Sequence, residues 1–363
     1  MNRKATSLSE GTAEAIHSGG RLTIDLVALA ANYRDLAGRS RPAKTGAAVK
    51  ADAYGLGIES VVPALWKAGC RSFFVALPEE GMRTRAAAPQ ARIFVLNGFF
   101  PEMLPAYQSA RLLPVLNSRP EIEAWVASGG APLPCAIQVD TGMNRLGLTV
   151  DEALDLARDE LSARLAIRLV MSHLACGDEP GHPMNRAQCQ AFQLVRAAFG
   201  GIESSLSHSS GIFLGADYRC DLTRPGIALY GGAVVKGERS PMRNVVTLEA
   251  RILQVRQAKA GETVGYGATM TLARDTSIAV ASIGYGDGLH RALSGFGVPL
   301  RNVVRQGGFG FIAGRRVPIL GRISMDLTAF DVTGKEPAIE TGDFIQLIGP
   351  DVPMDATADA AGT

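Results

Sequence analysis

Between about residue 45 and residue 230, short apolar runs alternate with longer stretches of helical periodicity. Several runs are apolar on both faces, as parallel strands covered by helices must be. The predicted strands are residues 47–51, 72–77, 92–97, 112–116, 135–140, 165–171, 203–207 and 227–229, and the predicted helices between them include 58–67, 120–127, 151–159 and 185–198. Eight such strand–helix units predict the α/β class and an N-terminal (β/α)8 TIM barrel. A doubly wound sheet is the alternative, although the glycine-rich turn that would follow its first strand is missing.

The pattern changes after about residue 244, where helical periodicity disappears and strand-like runs separated by glycine turns take over. The predicted strands are 245–256, 277–283, 309–312, 317–319, 327–332 and 344–348. Residues 1–20 lack the apolar core of a signal peptide and predict a mobile N-terminal extension. The expected organisation is therefore a barrel domain over residues 21–244, followed by a mainly β domain over residues 245–363.

The charge balance, the apolar segments and the cysteines argue against several classes of protein. The chain has 363 residues, with 37 Lys and Arg against 35 Asp and Glu, and a formal charge of +2. So balanced a charge argues against a nucleic-acid-binding protein, and no apolar window reaches the roughly 18 residues that a membrane helix needs. The five cysteines are far apart and form no Cys-x-x-Cys pair. They argue against a disulfide framework or a zinc site and predict a reducing, cytoplasmic location.

Lysine is scarce, at seven residues against thirty arginines, so Lys50 is conspicuous at the end of the first predicted barrel strand. A buried ammonium tends to lose its proton and becomes a nucleophile suited to Schiff-base chemistry. The alternative is a side chain that extends from the strand end into solvent. The residues that follow Lys50 favour the first interpretation.

Residues 49–57 (VKADAYGLG) resemble the pyridoxal-phosphate lysine motif of the alanine racemase family. The resemblance continues in family order through 140–147 (DTGMNRLG), 171–175 (MSHLA), 224–231 (RPGIALYG), 264–268 (VGYGA), 283–288 (IGYGDG) and 321–326 (GRISMD). Any one segment is a weak signal. Together they cover nearly the whole chain beyond residue 20, and that combination is specific.

The resemblance implies a pyridoxal 5'-phosphate enzyme that interconverts L-alanine and D-alanine and supplies D-alanine for peptidoglycan. It also implies a homodimer whose active sites lie between subunits, with the predicted first strand, residues 22–26, joining the β domain. A small amino acid would be the substrate, and no metal, nucleic acid or membrane is expected. Five of the implied site residues fall at or just after the ends of predicted strands, where barrel active sites are built: Lys50, Arg145, His173, Ser209 and Gly226.

Racemisation needs acid–base groups on opposite faces of a planar carbanion, which the pyridoxal ring stabilises. By resemblance, Lys50 serves one face and the partner subunit's Tyr266 serves the other. A free tyrosine has a pKa near ~10, so this role requires a local field that favours the ionised phenol.

The resemblance implies the remaining roles as well. Arg224 would face the pyridine nitrogen and disfavour its protonation, and His173 would stack on the ring. The substrate carboxylate would be held by the Arg145 guanidinium and the backbone of Met325. The cofactor phosphate would be bound by Tyr54, Ser209 and the backbone N–H groups of Gly226 and Ile227.

The chain departs from the family pattern at three places. Gln138 stands where many relatives carry a lysine, often carbamylated, that orients the substrate arginine. Ser205 and His208 stand where the family commonly has a histidine and an asparagine before the phosphate-binding serine. Residues 351–363 resemble the helix before the family's last active-site tyrosine, and the sequence ends before that tyrosine, so a C-terminal truncation is expected.

Other functions remain possible at this stage. A barrel-only pyridoxal-phosphate carrier would lack the motifs around Tyr266 and Met325. An amino-acid decarboxylase of the same architecture ordinarily has a carboxylate at the pyridine nitrogen, which Arg224 disfavours. A metal-dependent barrel isomerase needs clustered ligands at strand ends, and only His173 among five histidines qualifies. A racemase of broader specificity also remains open.

Gln138 leads to a first prediction. A neutral amide needs no carbamate to accept a hydrogen bond, so the affinity for alanine should not depend on carbon dioxide. The measurement is the KM for alanine in degassed buffer and after addition of bicarbonate, and the two values should agree within error. A clear fall in KM on adding bicarbonate would contradict the prediction.

Overall fold

The computed structural model describes residues 18–300, 303–304, 307–334 and 337–363. These residues form two compact units. One is Asp25–Val245, and the other is Val246–Thr363 together with the N-terminal strand Gly20–Ile24. Most of the predicted N-terminal extension lies outside the described residues. Within them, no helix is both long and apolar enough to span a membrane.

The first unit is a barrel of parallel strands. Seven strands pair side by side in chain order: Ala47–Ala48, Ser72–Val75, Arg92–Val95, Leu113–Leu116, Pro134–Gln138, Ala166–Met171 and Ser204–Ser205. The eighth, Leu222–Thr223, pairs with Lys44–Thr45, which leads directly into the first of these strands. The Gly46 N–H donates to the Thr223 carbonyl at 2.8 Å, and the Arg224 N–H donates to Ser207 at 2.9 Å. These bonds close the ring, and the predicted TIM barrel is confirmed.

Helices cover the outside of the barrel, and apolar side chains fill its interior. The interior includes Phe74, Phe94, Val115 and Leu169, all buried. The helices of this unit are Leu26–Ser40, Ile58–Ala68, Pro78–Ala87, Leu104–Ser109, Arg119–Ala127, Val150–Arg158, Glu160–Arg164 and Pro183–Ala198, whereas the short segment Lys50–Gly55 is largely left-handed. The four helices predicted from periodicity all form, with ends within two residues of those expected.

Two predicted strands need correction. The eighth barrel strand is Leu222–Thr223, whereas the predicted segment 227–229 lies in the short 3-10 helix Ile227–Tyr230. The chain leaves the sheet because Pro225 offers no N–H, and the N–H of Gly226 donates to the Ser209 hydroxyl instead of to a neighbouring strand.

The N-terminal strand begins and ends two residues before the predicted segment 22–26. It is Gly20–Ile24, and Leu26 is already the first residue of the helix Leu26–Ser40. Asp25 separates the two elements because its carboxylate accepts the N–H groups of Val27 and Ala28 at 2.9 and 2.8 Å, which caps the helix.

The second unit is built on an antiparallel sheet. Its strands pair in the order Gly20–Ile24, Val246–Ala258, Thr276–Ala281, Thr328–Asp331, Arg315–Leu320, Phe309–Ile312 and Phe344–Ile348. The last strand also pairs with Val246–Ala258, so the sheet closes on itself around buried Ile252, Ala279, Phe330 and Ile345. Short hairpins (Thr263–Val264 with Met270–Thr271, and Pro299–Leu300 with Val303–Val304) and the helix Met354–Ala361 complete it.

A left-handed turn follows the first barrel strand. Ala51, Asp52, Ala53 and Tyr54 have φ angles of 52, 54, 55 and 60°. Each such non-glycine residue costs roughly 1–2 kcal/mol, so the surrounding structure must hold the turn in place. It therefore needs specific contacts.

Asp52 provides those contacts. Its N–H donates to Glu80 Oε1 at 3.1 Å, and its Oδ1 accepts the Ile58 N–H at 3.0 Å. Arg83 Nη2 donates to the same Oδ1 at 2.7 Å. The turn is thus held from both sides, which fixes Lys50 and Tyr54 at its two ends.

The strain leads to a stability prediction. Replacing the exposed Ala51 by glycine should raise the free energy of unfolding by roughly 0.5–1 kcal/mol, because glycine adopts positive φ without a steric cost. The matched control is Ala124→Gly in the right-handed helix Arg119–Ala127, which should lower stability by about 1 kcal/mol. Urea unfolding measures both values, and a destabilising Ala51→Gly would show that the turn is not strained.

Candidate active site

Most of the predicted site residues lie at one rim of the barrel. They follow the C-terminal ends of its strands: Lys50 after Ala47–Ala48, Arg145 after Pro134–Gln138, His173 after Ala166–Met171, Ser209 after Ser204–Ser205, and Arg224, Gly226 and Ile227 after Leu222–Thr223. Tyr54 reaches the same rim through the left-handed turn. The C-terminal rim is where barrel enzymes place their chemistry.

Lys50 does not lie inside a strand. The strand ends at Ala48, and Lys50 directly precedes the left-handed turn and has an exposed side chain. The expectation of a buried ammonium was therefore wrong, because the strand stops three residues before the end of the predicted segment 47–51. The amine is accessible from the rim.

Arg224 is the buried cation of the site. Its side chain lies in the barrel, where Nη1 donates to Ser205 Oγ and Nη2 donates to the Ser172 carbonyl at 2.6 Å. Among the described residues, no carboxylate pairs with it. Burial lowers the pKa of the guanidinium to about 10, which still leaves it charged at neutral pH.

The pKa of His173 is lowered by burial and by several charged or titratable groups of the site. Burial lowers its pKa well below the ordinary value, and the charges of His208, Arg224, Arg145 and Lys50 lower it further. The imidazole is therefore neutral at physiological pH.

His208 stacks on His173, with ring centroids 4.7 Å apart and an interplanar angle of 27°. Its Nδ1 accepts the Ser210 N–H at 3.2 Å, and the ring is also hydrogen-bonded to the backbone of Leu174. Burial, reinforced by Arg224, lowers the pKa of His208 to about 4. Two neutral, stacked imidazoles thus stand beside the buried arginine.

A cradle for an anion lies at the end of the eighth strand. Ser209 Oγ accepts the N–H groups of Gly226 and Ala228 at 2.9 and 3.2 Å. The backbone of Gly226 is so close to the Tyr54 hydroxyl that a Cβ at this position would lie 2.2 Å from it. Tyr54 is packed on Tyr230 at 4.5 Å. Hydroxyls and amide N–H groups from three loops therefore meet at one point.

Arg145 is positioned through its backbone. Its N–H donates to Asp140 Oδ2 at 2.8 Å, and Asp140 Oδ1 accepts the N–H groups of Gly142 and Met143, both at 2.7 Å. These bonds offset the effect of burial and lower the pKa of Asp140. Gln138 donates to the Leu146 carbonyl at 3.2 Å, so it supports the loop next to Arg145 and does not bind the guanidinium itself.

Tyr266 and Met325 belong to the β unit. Both side chains are exposed, at 70 and 61%. Their loops are neighbours, since a Cβ on Gly265 would lie 3.4 Å from the Arg322 N atom. The Met325 carbonyl accepts the Gly286 N–H at 2.7 Å, which links it to a third glycine-rich loop.

Sequence reasoning did not assign a role to three residues that shape this site. Ser205 binds Arg224, His208 stacks on His173, and Asp140 organises the loop of Arg145. Asp140 opens the DTGMNRLG segment and could have been found there, because an aspartate before glycine commonly accepts nearby N–H groups. The contacts of Ser205 and His208 depend on distant segments and leave no local signal.

The His208 environment predicts a pH dependence of stability. In the unfolded chain histidine binds a proton near pH 6.5, whereas the folded ring does so only near pH 4. Acid therefore favours the unfolded state, and stability falls as the pH drops from about 6.5 to 4.

His208→Asn should reduce that fall in the free energy of unfolding by on the order of 2 kcal/mol. Urea unfolding across this range measures it, with His290→Asn, at an exposed position, as the control; equal slopes for both variants would refute the prediction.

Comparison with known proteins gives concordant results over both units. The family model for the alanine racemase N-terminal domain matches residues 24–234, and the model for the alanine racemase C-terminal domain matches residues 245–363. The chain is 54% identical to a biosynthetic alanine racemase of Agrobacterium fabrum, over 94% of this chain and 89% of the relative. It is 50% identical to an alanine racemase of Rhizobium meliloti, over 96% and 93% of the two chains.

The fold of this chain is similar over nearly its whole length to a crystal structure of alanine racemase from Bartonella henselae with covalently bound pyridoxal phosphate. The TM-score is 0.87 at 38% sequence identity, covering 95% of each chain. Family models that match both units, together with relatives of about half identical sequence over almost the whole chain, show that this chain belongs to the alanine racemase family.

Proposed function

We propose that this chain interconverts L-alanine and D-alanine using pyridoxal 5'-phosphate, with the site residues in the roles given below. The observation that carries the proposal is the barrel rim, where an accessible lysine, a buried arginine without a carboxylate and an anion cradle lie together. The activity of the relatives supports it, since they are alanine racemases and one of them is biosynthetic.

The residues present fit the cofactor. Gly226 leaves room for the Tyr54 hydroxyl, and the two N–H groups that now point at Ser209 could equally face a phosphate. Arg224 is a buried donor whose charge is neutralised by no carboxylate in the described part of the chain, as expected of a group that faces a ring nitrogen rather than an acid. His173 offers a flat, neutral face at the same rim.

The bound cofactor supplies an electron sink that makes the α-proton of an amino acid acidic. The chain supplies everything else. Tyr54, Ser209 and the N–H groups of the turn Gly226–Ala228, that of Ile227 included, would bind the phosphate, and His173 would pack on the ring. Arg224 keeps the ring nitrogen unprotonated, because a second positive charge beside a buried guanidinium is unfavourable.

Lys50 and Tyr266 move the proton. The Lys50 amine holds the cofactor in the resting enzyme and serves one face of the α-carbon, while the Tyr266 hydroxyl serves the other. Arg145 and the Met325 backbone hold the substrate carboxylate, which keeps the α-carbon between the two acid–base groups.

The exposure of Tyr266 and Met325 supports a homodimer with shared sites. A catalytic phenol that is 70% exposed lies in bulk water, where its field cannot be controlled. Contact with a second copy of the chain would cover Tyr266 and place it opposite the partner subunit's Lys50. A cytoplasmic location is proposed as well, and the five free cysteines support it.

Two substitutions test the roles. Lys50→Ala should lose both the visible absorbance of the lysine-bound cofactor and racemisation. Tyr266→Phe should keep the absorbance and lose racemisation by roughly 10²–10⁴-fold, because only one acid–base group is removed. The assay is chiral analysis of alanine started from either enantiomer. Release of carbon dioxide without D-alanine would instead support the decarboxylase alternative.

Mixing the two inactive variants tests the shared site. If Tyr266 acts across the interface, hybrid dimers contain one intact site, and an equal mixture should regain about a quarter of wild-type activity. Each variant incubated alone is the control. A mixture as inactive as its components would contradict a site shared between subunits.

A further inference from the structure

A second charged crevice lies at the opposite end of the barrel from the candidate active site. It is a cavity of about 940 Å³ at the N-terminal ends of the strands. Its apolar wall includes Pro42, Leu113 and Pro134. A volume of this size accommodates a metabolite of moderate size, and the proposed racemisation makes no use of this end of the barrel.

The crevice is rich in positive charge. Its lining carries four cationic side chains and two carboxylates, an excess of two positive charges, which equals the formal charge of the whole chain. The cations are Lys44, Arg92, Arg168 and Arg196, and the carboxylates are Glu203 and Asp221.

The two carboxylates are already engaged. Glu203 receives Lys44 Nζ at 3.1 Å and Arg92 Nη1 at 2.6 Å, one on each oxygen. Asp221 pairs loosely with Arg196 at 3.6 Å, and its other oxygen accepts the Ser204 N–H at 2.9 Å. The excess positive charge is therefore not neutralised from within the crevice.

Arg168 differs in exposure from the other residues of its strand. It lies within the strand Ala166–Met171, whose other residues are buried or half-buried, yet its own side chain is exposed. The strand pairing shifts register here, as at a bulge, because Cys135 pairs with Ile167 and the next residue, Ala136, pairs with Leu169, so that Arg168 has no pairing partner. Bulges are rare between parallel strands and redirect side chains, often at functional sites.

The redirected guanidinium lines the crevice. Among the described residues, none forms an ion pair or a hydrogen bond with Arg168. An arginine placed in a crevice by an irregular strand, with all five of its N–H donors free, is suited to bind an anion bidentately.

A second cavity, of about 670 Å³, extends the same surface. It shares Pro42, Arg196 and Cys220 with the first cavity. It adds three arginines and one carboxylate to the lining: Arg41, Arg186, Arg219 and Asp217. The positive field therefore continues beyond the crevice, which raises the local concentration of anions.

We propose that this crevice is a binding site for a small molecule with a dianionic phosphate group, held by Arg168 with Lys44 and Arg196 around it. The net excess of two positive charges in the lining matches one phosphate dianion, and the apolar wall would contact the organic part of the molecule. The site is separate from the cofactor cradle, since it lies at the other ends of the same strands.

The test uses enzyme saturated with its cofactor, so that the phosphate cradle is already filled. Titration with inorganic phosphate by calorimetry at an ionic strength of about 20 mM should show saturable binding with a Kd below about 1 mM. Acetate, a monoanion, should bind at least about tenfold more weakly. Raising the ionic strength to about 150 mM should weaken the binding of phosphate, since charges near the surface are screened.

Arg168→Gln should weaken phosphate binding by about tenfold, because a charge-assisted bidentate contact is lost. The matched control is Arg158→Gln, which removes an arginine whose side chain is 76% exposed and pairs with Asp155 only at 3.9 Å. It should leave the affinity unchanged. Thermal unfolding checks that both variants are folded. Phosphate binding that is absent, no stronger than that of acetate, or equally affected by both substitutions would overturn the proposal.

Discussion

The closure of the barrel is the constraint on which the site depends. The eighth strand has only two residues, yet it must close the gap between its partner Lys44–Thr45 and the seventh strand with the residues just after it, to which the flanking Asp221 and Arg224 N–H groups donate at 3.0 and 2.9 Å. The bonds from Gly46 to Thr223 and from Ala48 to Pro225 complete the ring. Because every strand then runs in the same direction around a closed cylinder, the residues that follow the strands come to one rim although they are up to 176 positions apart in sequence, from Lys50 to Gly226.

Burial and one buried cation, Arg224, together set the electrostatics at that rim. Removing a guanidinium from water is unfavourable unless its N–H groups find oxygen atoms, and here Ser205 and the Ser172 carbonyl provide them without adding a negative charge. No carboxylate in the described part of the chain therefore offsets the field of Arg224. This field helps to keep His173 and His208 neutral, so that the two rings pack against each other without mutual repulsion.

Much of this could be predicted from the sequence, for identifiable physical reasons. Runs that are apolar on both faces predict parallel strands, and seven of the eight barrel strands form within or close to the predicted segments. The hydrophobic pattern did not predict where some strands end, because side-chain contacts determine those positions. Asp25 turns the chain into a helix by capping it, and the Ser209 hydroxyl binds the Gly226 N–H that a strand would have paired.

In the site, too, the features encoded by local motifs were predictable and those that depend on long-range contacts were not. The resemblance located the residues at the rim, because their motifs are local in sequence. The exposure of Lys50, the stacking of His208 and the partner of Arg224 depend on long-range packing, which no periodicity encodes. The left-handed turn was also invisible, because alanine and aspartate ordinarily avoid such φ angles and their presence there reflects tertiary contacts of Asp52.

The strand Gly20–Ile24 has a consequence for biosynthesis. It pairs with Val246–Ala258, so its partner is synthesised more than two hundred residues later. The barrel unit, by contrast, is one uninterrupted stretch of chain, Asp25–Val245. On a ribosome the barrel has all its strands before the β unit has most of its own. The strand Gly20–Ile24 must therefore wait without its partner through the synthesis of the whole barrel, and its length of five residues limits the edge that it exposes meanwhile.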